Sequence, residues 1–111
     1  MIADFDPAPL RHLMSLAGPE LAPELQRRLV ADLSGVLHHL TAGAADLVAV
    51  QAQCHVLMSL SGTVGAMALH QMADTLHGAA VVRDSAQVAA LLPSTAQATQ
   101  ALITQIAQVA G

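Results

Sequence analysis

The segment Pro23 to Gly43, PELQRRLVADLSGVLHHLTAG, places Leu25, Leu29, Leu33, Val36, Leu37 and Leu40 at spacings of three and four. At about 100° of rotation per residue these side chains fall on one face of a helix, the pattern of an amphipathic element with one side in a core. The helix should begin near Pro19 or Glu20, accommodate Pro23 in its first turn and break at Thr41-Ala42-Gly43.

The chain on either side reads the same way. Upstream, Asp6 followed by Pro7 is an N-cap with proline at the first helical position, and Leu10, Leu13, Met14 and Ala17 share a face before Gly18 stops the turn. Downstream, Asp46 falls in the first turn of a helix expected to run to about Ser61, where its charge complements the helix dipole. Gly62 and Thr63 read as a short connection, with Thr63 the N-cap of a helix carrying Leu69, Met72, Ala73, Leu76 and Ala80 and ending near Val81. Asp84 or Ser85 caps a last segment, in which Val88, Leu91, Leu92, Ala98, Leu102, Ile106 and Val109 keep helical spacing. Pro93 interrupts it, and a kink or restart is expected near Leu92.

With 111 residues the chain, 1–111, suits one domain, and short linkers favour antiparallel neighbours. Hydrophobic residues make up 54% of it, nearly all Ala, Leu and Val, with one Phe and no Trp or Tyr, a mixture suited to helices packed by small aliphatic side chains. The expected fold is all-α: an antiparallel up-and-down four-helix bundle with a short extra N-terminal helix.

Composition also excludes classes of function. The formal charge is −4 and the four cationic residues are all Arg, so no basic face is available for nucleic acid. No apolar run reaches the ~20 residues that span a bilayer, and the N-terminus lacks a basic region followed by a hydrophobic stretch, which leads us to expect a cytoplasmic protein with no membrane partner. The lone cysteine, Cys54, reads as a small buried apolar residue. The histidines show no chelating arrangement: His38 and His39 are adjacent and splay apart, while His70 and His77 are two turns apart, roughly 10 Å of rise. No HExxH, CxxC or His-rich tract accompanies them, so no metal site is expected. Glycine-rich phosphate loops and nucleophile elbows are absent as well, and the eight carboxylates are scattered along the chain. A conventional enzyme is not indicated.

One histidine stands apart. In Cys54 to Ala66, CHVLMSLSGTVGA, His55 shares its helical face with Gln51, Ala52, Met58, Ser59 and Gly62, while Val50, Leu57 and Leu60 point roughly the other way and Cys54 and Ser61 lie at a flank. An imidazole ringed by short or flexible side chains is one a flat partner surface can reach.

The stretch His55-Val-Leu-Met58-Ser59-Leu60-Ser61-Gly-Thr-Val-Gly65-Ala66 resembles the motif His-x-x-Lys-Gly-Ser-Ser-x-x-x-Gly-Ala of the histidine-containing phosphotransfer domains of bacterial and fungal phosphorelays. The histidine, the second serine and the closing Gly-Ala match. Met58 stands where the family has a lysine for the phosphoryl oxygens, Ser59 where it has a glycine that permits close approach, and Leu60 replaces a serine.

The resemblance implies a bacterial phosphoryl carrier that is not itself an enzyme with turnover. His55 would accept the group from a receiver-domain aspartate and pass it on. Partners would be response-regulator receiver domains and a hybrid histidine kinase, and the protein itself would be monomeric. No cofactor would be bound by this chain, and Mg²⁺ would come with the receiver. His77 matches the family position on the next helix that faces the phosphohistidine, and with Gln51 it is a candidate for orienting the imidazole. Loss of the lysine implies slower transfer or a shorter-lived phosphohistidine. The competing reading is a related module that docks to a receiver or kinase and regulates it without being phosphorylated. Met58 favours that alternative by adding adaptable apolar contact in place of a phosphate ligand.

Overall fold

Asp6 starts the first helix as the sequence indicates: its Oδ1 accepts from the Ala8 amide at 3.0 Å, and Pro7 occupies a position where a missing N–H leaves no helical bond unmade. The computed structural model describes residues 5–43 and 45–109, which form α1 (Pro7–Ala42), α2 (Leu47–Thr63), α3 (Met67–Val81) and α4 (Ser85–Ala107). The helical run of α1 is broken at Gly18, whose φ of 87° and ψ of 167° lie in a region that side chains disfavour. A straight 36-residue helix would be ~54 Å long by its rise of 1.5 Å per residue, more than the molecule's 45 Å greatest extent. The break therefore sets off the short N-terminal helix, residues 7–17, from the long arm 19–42.

The helices pack as a ring: α1 against α2, α2 against α3, α3 against α4 and α4 back on α1. This is the expected all-α four-helix bundle. Leu29, Leu33, Val36 and Leu40 of the diagnostic stripe are buried and Leu25 and Leu37 pack against the core from its edge. They meet Val50, Cys54 and Leu57 of α2, Leu69, Ala73 and Leu76 of α3, and Val88, Ala98, Leu102 and Ile106 of α4. Two threonines join this interior without leaving a polar group unpaired, because Thr95 and Thr99 donate to the carbonyls one turn back, of Leu91 and Thr95. Gln26 ties the ring shut: its amide donates to Ile106 O at 2.6 Å and Val109 O at 2.9 Å, adding a second partner to the Ile106 carbonyl, which also accepts from Val109 N at 3.1 Å, and one to the Val109 carbonyl beyond the end of α4.

Three local expectations are corrected. Asp46 is the N-cap of α2 rather than a first-turn residue, accepting from the Val48 and Ala49 amides at 3.1 and 3.2 Å. Gly62 and Thr63 belong to α2, and Thr63 does not cap α3: its hydroxyl donates back to Ser59 O at 2.8 Å. The turn is instead made at Val64-Gly65-Ala66. Gly65 has φ +81°, and the N-terminal segment holds the turn through Asp6 N donating to Gly65 O and a bridge between Phe5 and Ala66. Finally, α4 runs through Pro93 as one helix with no restart at Leu92. Pro93 and Ala89, the residue whose carbonyl loses its partner, are both exposed, so water can satisfy that carbonyl. No helix among the described residues is long and apolar enough to cross a membrane.

Candidate functional site

The periodicity that buries one side of α2 presents the other. Val50, Cys54, Leu57 and Ser61 are buried, with Cys54, Leu57 and Ser61 wholly enclosed, whereas Ala52, His55, Ser59 and Gly62 are exposed. His55 lies near the middle of α2, away from both helix ends and their unpaired backbone groups.

A ring partner of His55 comes from α3. The His77 imidazole stands with its centroid 5.8 Å away and its plane tilted by 39°, and His77 is half-buried. Further along the same seam, His70 Nδ1 lies 2.9 Å from the Met58 carbonyl oxygen. A carbonyl only accepts, so the proton sits on Nδ1 of His70. Met58 O is a shared anchor, because the enclosed Ser61 hydroxyl also donates to it at 3.3 Å and to Leu57 O at 2.6 Å. At the opposite end Gln51 Nε2 reaches Ala80 O at 3.4 Å, a long contact that joins the start of α2 to the end of α3. His70 was not singled out from sequence. Its signal is the seven-residue spacing from His77, which puts both rings on the α3 stripe that meets α2.

The side chains placed around His55 by sequence are thus divided. His77 shares the imidazole's surface, Ser59 and Gly62 leave the flank low, Gln51 is directed at the α3 backbone, and the half-buried Met58 packs against the edge of the core. A methyl group at Gly62 would meet His70 Nδ1 at 3.5 Å, an ordinary contact, so this position is low without being sterically obliged to be glycine.

The arginines are distributed elsewhere. Arg28 pairs with Asp32 one turn on in α1 at 3.2 Å, Arg27 lines a groove between α1 and α4, and Arg83 takes a left-handed backbone with φ 58° in the α3–α4 connection. Grooves of about 490, 290 and 380 Å³ lie between α1 and α4, at the Gly18 break and between α3 and α4, and His55 lines none of them. An open face of this kind suits a macromolecular surface better than a small molecule, which needs a cleft to bury most of its area.

Cys54, one residue before His55, has the opposite environment. Burial pushes its thiol from 9.0 up to about 11, which removes thiolate character at neutral pH. Among the described residues no group of three or more His, Cys, Asp or Glu side chains is arranged to hold a metal ion.

Fold and site together define a four-helix bundle with an exposed histidine at the middle of α2 beside a half-buried one on α3. Comparison with protein families, with curated proteins and with solved structures finds no match for this chain.

Proposed function

We propose that this protein is a phosphoryl carrier of a multistep phosphorelay, taking the group on His55 from the aspartyl phosphate of a receiver domain and passing it to another receiver. The observation that carries the reading is the presentation of His55: an exposed imidazole on the outer stripe of α2, flanked by Ala52, Ser59 and Gly62. A receiver must bring its phospho-aspartate within bonding distance of a ring nitrogen, and short neighbours allow that approach. The motif resemblance, from His55 through Gly65-Ala66, supports the same reading.

The transfer needs little else from the carrier. The lone pair of the unprotonated ring nitrogen attacks phosphorus, the P–O bond to the aspartyl carboxyl group breaks, and the carboxylate leaves with that electron pair. The other ring nitrogen keeps its proton throughout. Charge on the phosphoryl oxygens is neutralised by the receiver's Mg²⁺, and transfer to the next aspartate is the same step in reverse.

The alternative, a module that docks to a receiver or kinase and regulates it without taking phosphate, is favoured by Met58, which stands where the family has its lysine and supplies no charge, and by the apolar character of the stripe. Val48, two turns before His55 on the same face, is 62% exposed, and Val56 beside the imidazole is 44% exposed. Both readings use one docking face and differ only in chemistry.

Intact-mass measurement at neutral to mildly alkaline pH, after mixing with phosphorylated receiver domains, separates them. The carrier reading predicts an acid-labile gain of one phosphoryl group in wild type and none in His55→Ala. Binding of a receiver with no mass gain would instead establish the docking module.

A further inference from the structure

We propose that His55 and His77 form a two-imidazole clamp for a borderline divalent transition-metal ion, Zn²⁺ or Cu²⁺ by chemical class, bridging α2 and α3 at the surface. Imidazole nitrogens suit these ions, with Zn–N bonds of about 2.0–2.1 Å. A ring bound in its own plane then has its centre about 3 Å from the ion, and two such rings at a tetrahedral angle have centres roughly 5 Å apart. The observed separation is 5.8 Å with the planes tilted by 39°, within about 1 Å of the spacing that a shared ion requires. His55 is exposed and His77 half-buried, which leaves an approach open to solvent. The two histidines supply two ligands, and water completes the shell.

The molecule carries its own comparison. His38 and His39 have ring centres 5.5 Å apart, close to the same separation, but they are adjacent on α1 with planes at 89°. Neighbouring helical residues diverge by about 100°, so their nitrogens cannot turn toward one point. His39 Nδ1 is in addition held by Gly35 O at 2.6 Å. Ring proximity alone therefore does not make a clamp; convergence from two helices does.

An ion held there would occupy the lone pair that attack on phosphorus requires. Under the carrier reading, on which this consequence alone rests, metal binding and phosphorylation of His55 exclude each other.

The site is tested without any receiver, so its outcome is independent of whether His55 carries phosphate. Isothermal titration calorimetry with Zn²⁺ in a non-chelating buffer at pH 7.5 should give one ion per chain in wild type. His55→Ala and His77→Ala should each weaken binding by more than about tenfold, since loss of an outer partner already costs that much at metal sites. A His38→Ala/His39→Ala double variant should bind as wild type does, and circular dichroism should show every variant to be folded. Absence of binding, loss in only one of the two single variants, or loss in the double variant would overturn the clamp.

Discussion

On the inner face of α2, Cys54 is wholly enclosed among aliphatic side chains and its thiol ionises only near pH 11; on the outer face, one residue on, His55 is exposed beside a second imidazole. Both side chains are nucleophiles in the right state. The bundle silences the softer of the two by desolvation and leaves the other in contact with solvent. The difference comes from a single step of helical rotation, about 100°, at a helix that has one packed side. Chemistry on this chain is therefore selected by burial.

The comparison predicts its strongest asymmetry in stability. Leu57→Ala empties a fully enclosed position and should cost about 2–5 kcal/mol, whereas His55→Ala should change stability by no more than about 0.5 kcal/mol. Urea unfolding of the two variants checks this, and similar losses in both would break the division between inner and outer face.

Next in size is an alkaline effect. The chain has no Lys and no Tyr, so Cys54 is the only side chain expected to change ionisation between pH 9 and 11. Its folded pKa is raised, so the neutral thiol is the form the native state favours. The associated stability is fully present below the unfolded value and is lost as pH rises through the folded one, with a ceiling of ~3 kcal/mol. Cys54→Ala should flatten that slope in urea titrations. Wild-type thiol labelling at pH 8 should proceed only through unfolding.

The smallest effects come from two glycines at the end of α2. A Cβ at Gly65 would meet Asp6 O and Pro9 Cγ, each at 3.0 Å, on a backbone with φ +81°, so Gly65→Ala should cost about 2 kcal/mol. Gly62 has helical backbone, and a Cβ there would make only an ordinary contact with His70 Nδ1 at 3.5 Å, so Gly62→Ala should be neutral or stabilising by about 0.5 kcal/mol. Thermal melts would sharpen the comparison by showing whether the strained turn or the low flank depends on glycine.

The sequence carried most of this arrangement because local rules govern most of it. The leucine stripe of α1, the Asp6-Pro7 start, the Asp84 cap and the stop at Gly18 are decided within a turn or two of chain, and they stand where the spacing puts them. The two faces of α2 are equally local. What was misread depends on distant partners or on solvent. Gly62-Thr63 has turn composition, but the break is set at Gly65, where the N-terminal segment crosses and holds Val64-Gly65-Ala66. Pro93 is a breaker by rule, yet it lies on the wet side of α4, where the lost hydrogen bond is cheaply replaced. The placement of His77 beside His55 was expected from the family resemblance rather than from spacing, and the anchoring of His70 on Met58 O required knowing which residues of α3 lie opposite which residues of α2. Spacing within one helix does not contain that register.

The central claim is that the outer face of α2 presents His55 as the phosphoryl acceptor. Its most direct test is to load the protein from phosphorylated receiver domains and locate the group by peptide fragmentation under neutral conditions. The account predicts a single phosphorylated site, His55, with Cys54 and the other five histidines unmodified. Phosphate on any other residue, or none from a receiver that binds the protein, would contradict it.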